Sequence, residues 1–212
     1  MKLYSKGEEV FNGVTHIVGA AIGIIYLVLG IIFAAMFQSY EAVLAVVIFG
    51  ISIIILYLMS TIYHMLNPMK AKKVFQIFDH CTIFLLIAGT YTPFIVLGVP
   101  TLKGYIILGI VWFFAILGIT FNAISLNNKI IKISSYVLYI FMGWCIIFIF
   151  KDLIKFMRRD SLILLFLGGV LYTVGFIFFG LGKKVKWFHS IWHLFVLCGT
   201  ILHAISSILL LL

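Results

Sequence analysis

At 212 residues, 65% hydrophobic and only 10% charged, the chain lacks the polar surface of a soluble domain, which runs near ~25% charged. That composition excludes a water-soluble globular fold and leaves an integral membrane protein. The net charge of +9 falls in short clusters between apolar runs, the pattern of topology signals and of contacts to anionic headgroups, so it does not argue for nucleic acid.

A spanning helix needs about 20 mainly apolar residues. Seven such segments fit in chain order, within one membrane domain over residues 1–212. The first, Val14 to Phe37, follows Lys2, Lys6, Glu8 and Glu9. It is too long for a signal peptide and has no small-residue cleavage site, so it is expected to stay as a helix. Its Gly19-x-x-x-Gly23 spacing permits close helix approach, with plain packing the simplest reading. After the polar turn Gln38-Ser39-Tyr40-Glu41, the second segment runs from Ala42 to Leu66. Asn67-Pro68 stops it, because proline cannot continue the hydrogen-bond ladder. The third, Phe75 to Leu97, contains Pro93, expected to kink it and widen a cavity. Gly98-Val99-Pro100-Thr101 ends it. The fourth is Gly104 to Ile124, and Asn127-Asn128-Lys129 separates it from the fifth, Ile133 to Phe150. The basic stretch Lys151 to Asp160 suits a short interfacial helix with Leu153, Ile154 and Phe156 dipping into the headgroups. The sixth segment is Leu162 to Leu181 and the seventh Trp187 to Leu211. Cys81, Cys145 and Cys198 lie inside apolar runs without framework spacing and read as free, small buried side chains.

Orientation follows from the basic residues. With the N-terminus in the cytoplasm, Lys2, Lys6, Lys70, Lys72, Lys73, Lys129, Lys132, Lys183, Lys184 and Lys186 lie inside. Lys103, Lys151, Lys155, Arg158 and Arg159 lie outside. Ten against five favours N-in and C-out.

That threading brings together groups far apart in sequence. The second helix delivers Ser60 and His64 at its cytoplasmic end, the third carries Asp79 about one turn in, and the seventh opens with His189 and His193. Polar, titratable groups in lipid are costly and mark function. Residues i and i+4 share a helical face, so His189 and His193 can point at one ion, with Ser60 a turn from His64. Three imidazoles with an open fourth position describe a catalytic zinc site, although such ligands also suit iron or nickel. Asp79 has a second reading, as an ion-pair partner of Lys72, Lys73 or Lys186. His80 points about 100° away from Asp79. His16 reads equally as a residue behind the ligands or as an interfacial one, and His203 lies about 15 Å deeper than His193. Tyr105, Trp144 and Trp187 read as interface anchors.

With these segments in order, the chain resembles bacterial hemolysin III proteins, within the superfamily of progestin and adipoQ receptors that includes the adiponectin receptors. More distantly it is similar to alkaline ceramidases. The matching stretches are Gly7 to His16, Ser60-Thr61-Ile62-Tyr63-His64, Asp79-His80, Gly89-Thr90-Tyr91-Thr92-Pro93, and His189 to His193. The resemblance implies an all-α seven-transmembrane-helix bundle in the bacterial plasma membrane, with cytoplasmic N-terminus and external C-terminus. It implies zinc on His64, His189 and His193, with Asp79 near the water at the open position and Ser60 beside it. Where the family often has Ser-Gly after the Asp-His pair, this chain has Cys81-Thr82.

Three functions follow as expectations. One is a zinc-dependent intramembrane hydrolase of a lipid amide or ester, ceramidase-like, with membrane lipids as substrate. Asp79 would orient the water or take its proton, and Ser60 would hydrogen-bond the aspartate, the water or the developing oxyanion. A second is a receptor-like or homeostatic membrane protein with structural zinc. The third is a cytolytic protein, for which the sequence supplies neither a soluble form nor an amphipathic pore-lining repeat.

Overall fold

The computed structural model describes residues 4–37, 39–125, 128–182 and 184–212. Lys2, Gln38, Asn127 and Lys183, used above for turns and topology, lie outside them. Eight α-helices follow in chain order: α1 (Lys6–Phe37), α2 (Tyr40–Met65), α3 (Met69–Pro93), α4 (Leu102–Ser125), α5 (Lys129–Trp144), α6 (Phe150–Phe156), α7 (Arg159–Leu181) and α8 (Phe188–Leu209). A π turn, Phe94–Gly98, continues α3, and a 3₁₀ turn, Cys145–Ile149, joins α5 to α6. Together they make seven helical spans long and apolar enough to cross a membrane, α5 and α6 sharing one, Lys129–Phe156.

Neighbours in sequence pack side by side, and α8 closes the ring against α1. The α3 span is the most buried of the seven. One core cluster joins α3, α4 and α5 through Phe84, Val111, Ala115 and Met142. A second joins α1, α2 and α8 through Val46, Phe49, Ile53, Tyr57, Val196 and Ala204. The outward face of α1, with Ile24, Ile25, Val28, Leu29 and Ile32 exposed, is a lipid-facing stripe. Gly23 presses on Ile53, where an added Cβ would sit 2.7 Å from its Cγ2, and Gly19 lies flat on the Tyr57 ring. The small-residue spacing thus serves the α1–α2 contact.

Two helices start earlier than the sequence reading placed them. The first begins at Lys6 rather than Val14, because Ser5 and Glu8 form a reciprocal capping box. The Glu8 N–H donates to Ser5 Oγ at 3.4 Å and the Ser5 N–H to Glu8 Oε2 at 2.9 Å. The third begins at Met69 directly after Pro68, whose fixed φ of −63° suits a helix entry. Asp79 therefore lies about 15 Å along α3 from its first residue. Pro93 removes a donor, and the following turn widens to π.

The Lys151 to Asp160 stretch is only partly interfacial. Ile154 and Phe156 are exposed, but Leu153 is fully buried and belongs to the α3–α5 core. The cysteines are free; Cys81 and Cys145 are buried and Cys198 is exposed. Cys81 Sγ faces α4, donating to the Ile119 carbonyl at 3.6 Å, so it takes no part in the polar site. Trp144, half-buried, lines an apolar cavity of the bundle.

Candidate metal centre

The start of α1, the end of α2, the start of α8 and the adjoining turns of α3 meet at one end of the bundle. Ring nitrogens of His64, His189 and His193, all buried, lie within 4.8 Å of one another. His189 and His193, one turn apart on α8, approach Nε2 to Nε2 at 3.0 Å. Tetrahedral ligands at about 2.0–2.1 Å from zinc are separated by about 3.3 Å, so this pair already has nearly the right spacing.

His64 is oriented from behind. Its Nδ1–H donates to Glu9 Oε2 at 2.7 Å, which leaves Nε2 with a lone pair. That Nε2 is buried and has no protein partner. A carboxylate behind a histidine is the arrangement that fixes tautomer and ring direction for metal ligation. Glu9 in turn takes Lys72 Nζ on its other oxygen at 2.7 Å. Lys72 also donates to the His64 carbonyl at 3.4 Å and lies 5.1 Å above the Tyr63 ring. Lys72 is thus the partner of Glu9, which corrects the reading of it as a partner for Asp79. Asp79 Oδ2 lies 3.9 Å from His80 Nδ1. Converging imidazoles with an unsatisfied inward lone pair fit a cation, because nearly every buried polar atom in a folded protein has a partner.

Ser60, one turn from His64 on α2, lies beside Asp79, but the Asp79 carboxylate is not among the atoms within 4.8 Å and is no member of the histidine cluster. His80 faces elsewhere, donating from Nδ1 to the Gln76 carbonyl at 2.9 Å, with its ring 6.5 Å from Phe179. His16 lies inside the bundle, its ring 3.9 Å from that of His193 and 4.9 Å from Tyr57, which rules out an interfacial position. His203 sits apart, its Nε2–H donating to the Leu165 carbonyl at 2.9 Å.

A family model described as haemolysin-III related matches residues 4–204. The chain belongs to that family. It is 44% identical over 193 residues to Hemolysin-3 of Bacillus cereus, covering 91% of this chain and 87% of that one. It is 41% identical over 198 residues to the Hemolysin-3 homolog of Bacillus subtilis, covering 93% and 92%. More remotely, it is 25% identical over 161 residues to the human monocyte to macrophage differentiation factor, covering 74% and 66%. No solved structure matches. With its seven spans, the haemolysin-III chain is a multi-pass protein of the bacterial plasma membrane.

Three residues at this end of the bundle, Tyr4, Glu9 and Asn12, were given no role from sequence, and Lys72 was read only as a possible partner of Asp79. Asn12 is fully buried with both amide atoms unpartnered, and it lies one helical turn from His16. Tyr4 stacks on His189, rings 4.6 Å apart and 11° from parallel. Burial, with Asp79, Glu9 and Glu8 nearby, pushes its phenol well above the ordinary tyrosine range, so it stays neutral. The capping box was the one sequence signal available: Ser5 and Glu8, three apart, announce a helix start that brings Glu9, Asn12 and His16 into the bundle.

Beyond the imidazoles lies an apolar cavity of about 150 Å³, lined by Leu86, Tyr91, Phe94, Phe176, Tyr172 and others. Phe179 and Trp192 line it too, their rings 5.5 Å apart and tilted by 50°, and the Phe179 ring is also 6.1 Å from that of His189.

Proposed function

We propose that the chain is a metal-dependent hydrolase of a lipid amide or ester, with zinc on His64, His189 and His193, working within the membrane. The observation that carries this reading is the buried, unpartnered Nε2 of His64 among three clustered imidazoles, with Ser60 beside Asp79 at the same end of the bundle. A zinc ion so held supplies polarisation of a carbonyl and a lowered pKa for water.

The protein's own residues do the rest. Glu9 keeps the His64 lone pair facing inward, and Lys72 neutralises Glu9. Asp79 takes a proton from the water that attacks the carbonyl carbon. It returns that proton to the nitrogen or oxygen that leaves, as the new C–O bond forms and the old bond breaks. Ser60 holds the aspartate in place. The cavity matches the volume that accommodates a benzene-sized apolar group, so a long acyl chain must extend between helices into lipid. With N-in topology the site faces the cytoplasmic half of the membrane.

Metal analysis of purified protein beside a triple alanine variant at His64, His189 and His193 tests the centre. Near-stoichiometric zinc, lost in the variant, is expected; another metal or none rejects the zinc assignment. Fatty acid release from a ceramide in detergent tests the reaction. Asp79→Asn is expected to lower it about 10²–10⁴-fold, and hydrolysis indifferent to Asp79 would reject the role given to it.

The name hemolysin carried by the Bacillus relatives favours a second reading, membrane lysis. Dye release from liposomes separates the two. Lysis that persists in the triple alanine variant has a source other than hydrolysis.

A further inference from the structure

The structure ties the segment before α1 onto the first turn of α8 by three linked contacts. Ser5 Oγ donates to Glu8 Oε2 at 2.6 Å. The other Glu8 oxygen, Oε1, accepts the Trp187 N–H at 2.7 Å. The Trp187 indole packs against Gly7 and edge-on against Phe11, ring centres 6.0 Å apart. Trp187 is the residue before α8 and two before His189. It has a φ of 67°, the one positive φ at a non-glycine among the described residues. A tryptophan in that region is strained, so the Glu8 bond and the indole packing must hold it there. Such strain gathers where geometry is being imposed.

What this clasp carries is Tyr4. The residue precedes Ser5, lies nearly parallel on His189 at 4.6 Å and reaches to 6.0 Å from the His64 ring. No helix covers the imidazoles there; α1 starts only at Lys6. An aromatic ring stacked on an imidazole restricts its rotation about χ2 without using its nitrogens. The nitrogens of His189 therefore stay free for the ion while the ring is fixed.

We propose that Tyr4, held by the Ser5–Glu8–Trp187 clasp, is a positioning residue of the metal centre: its ring sets the His189 imidazole and closes the ion's position at the N-terminal end of the bundle. This rests on the metal reading above. It adds a contribution from a segment that supplies no ligand.

Cobalt(II) in place of zinc gives two readouts apart from turnover: the visible ligand-field spectrum, and the rate of loss to excess chelator in detergent. Tyr4→Phe keeps the ring and is expected to keep both. Tyr4→Ala is expected to shift the spectrum and to speed cobalt loss about tenfold. Glu8→Gln, which weakens the clasp without touching the stacked pair, is expected to speed loss with a smaller spectral change. Metal-free Tyr4→Ala melting with the unsubstituted protein shows that the bundle is intact; should that variant not fold, Glu8→Gln carries the same test. Cobalt bound normally, with spectrum and loss rate unmoved in Tyr4→Ala or, in its place, in Glu8→Gln, overturns the proposal. So does Tyr4→Phe behaving like Tyr4→Ala, since the hydroxyl and not the ring would then matter. An unsubstituted protein that takes up neither cobalt nor zinc sinks the metal reading itself, a result distinct from the others.

Discussion

Glu9 decides what His64 can do. Neutral imidazole has one N–H and one lone pair, and the carboxylate at 2.7 Å from Nδ1 assigns the proton to that side. Removing the negative charge while keeping the shape isolates the effect. Glu9→Gln is expected to weaken metal affinity about 10–100-fold, the usual effect of losing a residue behind a ligand. Chelator competition measures it, and an affinity equal to that of the unsubstituted protein would mean that something else orients His64. At this scale the sequence was half legible. His64, His189 and His193 stood out because imidazoles are rare in apolar helices and i, i+4 spacing is visible in one dimension. Glu9 and Lys72 did not, since a charge near a helix end ordinarily meets water or headgroups. Their burial depends on α1 and α3 extending further than hydropathy shows, by turns whose polar residues point inward.

The span that contains α5 and α6 illustrates what local sequence hides in an element. Its helix breaks at Trp144 although no proline lies there. Tyr91, from α3, explains the break. Its hydroxyl donates to the Met142 carbonyl at 2.7 Å and accepts the Ile146 N–H at 2.9 Å. A side chain inserted into the backbone ladder is a recognised cause of such breaks, and here it comes from more than 50 residues away. Hydropathy found the span because it needs only apolar length. The break needs a partner, which no window along the chain contains. Tyr91→Phe would leave a buried N–H and C=O without their partner, and a loss of about 1–3 kcal/mol is expected. Thermal unfolding in detergent reads it; an unchanged melting temperature would show that α5 can run through the turn as a regular helix.

For the molecule as a whole, the seven spans were legible because lipid enforces long apolar helices with satisfied backbones, whereas the packing of α8 on α1 was not. The basic residues are the basis for expecting the N-terminus in the cytosol. In a cysteine-free background, a cysteine at Lys103 is expected to react with an impermeant maleimide in intact cells. One at Lys186 is expected to react only after permeabilisation. The reverse pattern would put the imidazoles at the outer leaflet and remove the cytoplasmic setting proposed for the site.

The imidazoles come from α2 and α8, and the groups that steer them come from α1 and α3. A ribosome delivers α1 first and α8 last, so while the final helix is still unmade only His64 of the three exists. One imidazole and a carboxylate behind it make a poor trap for a scarce cation. On the metal reading proposed above, capture would be a terminal event in biogenesis, because the three imidazoles are complete only once α8 is made.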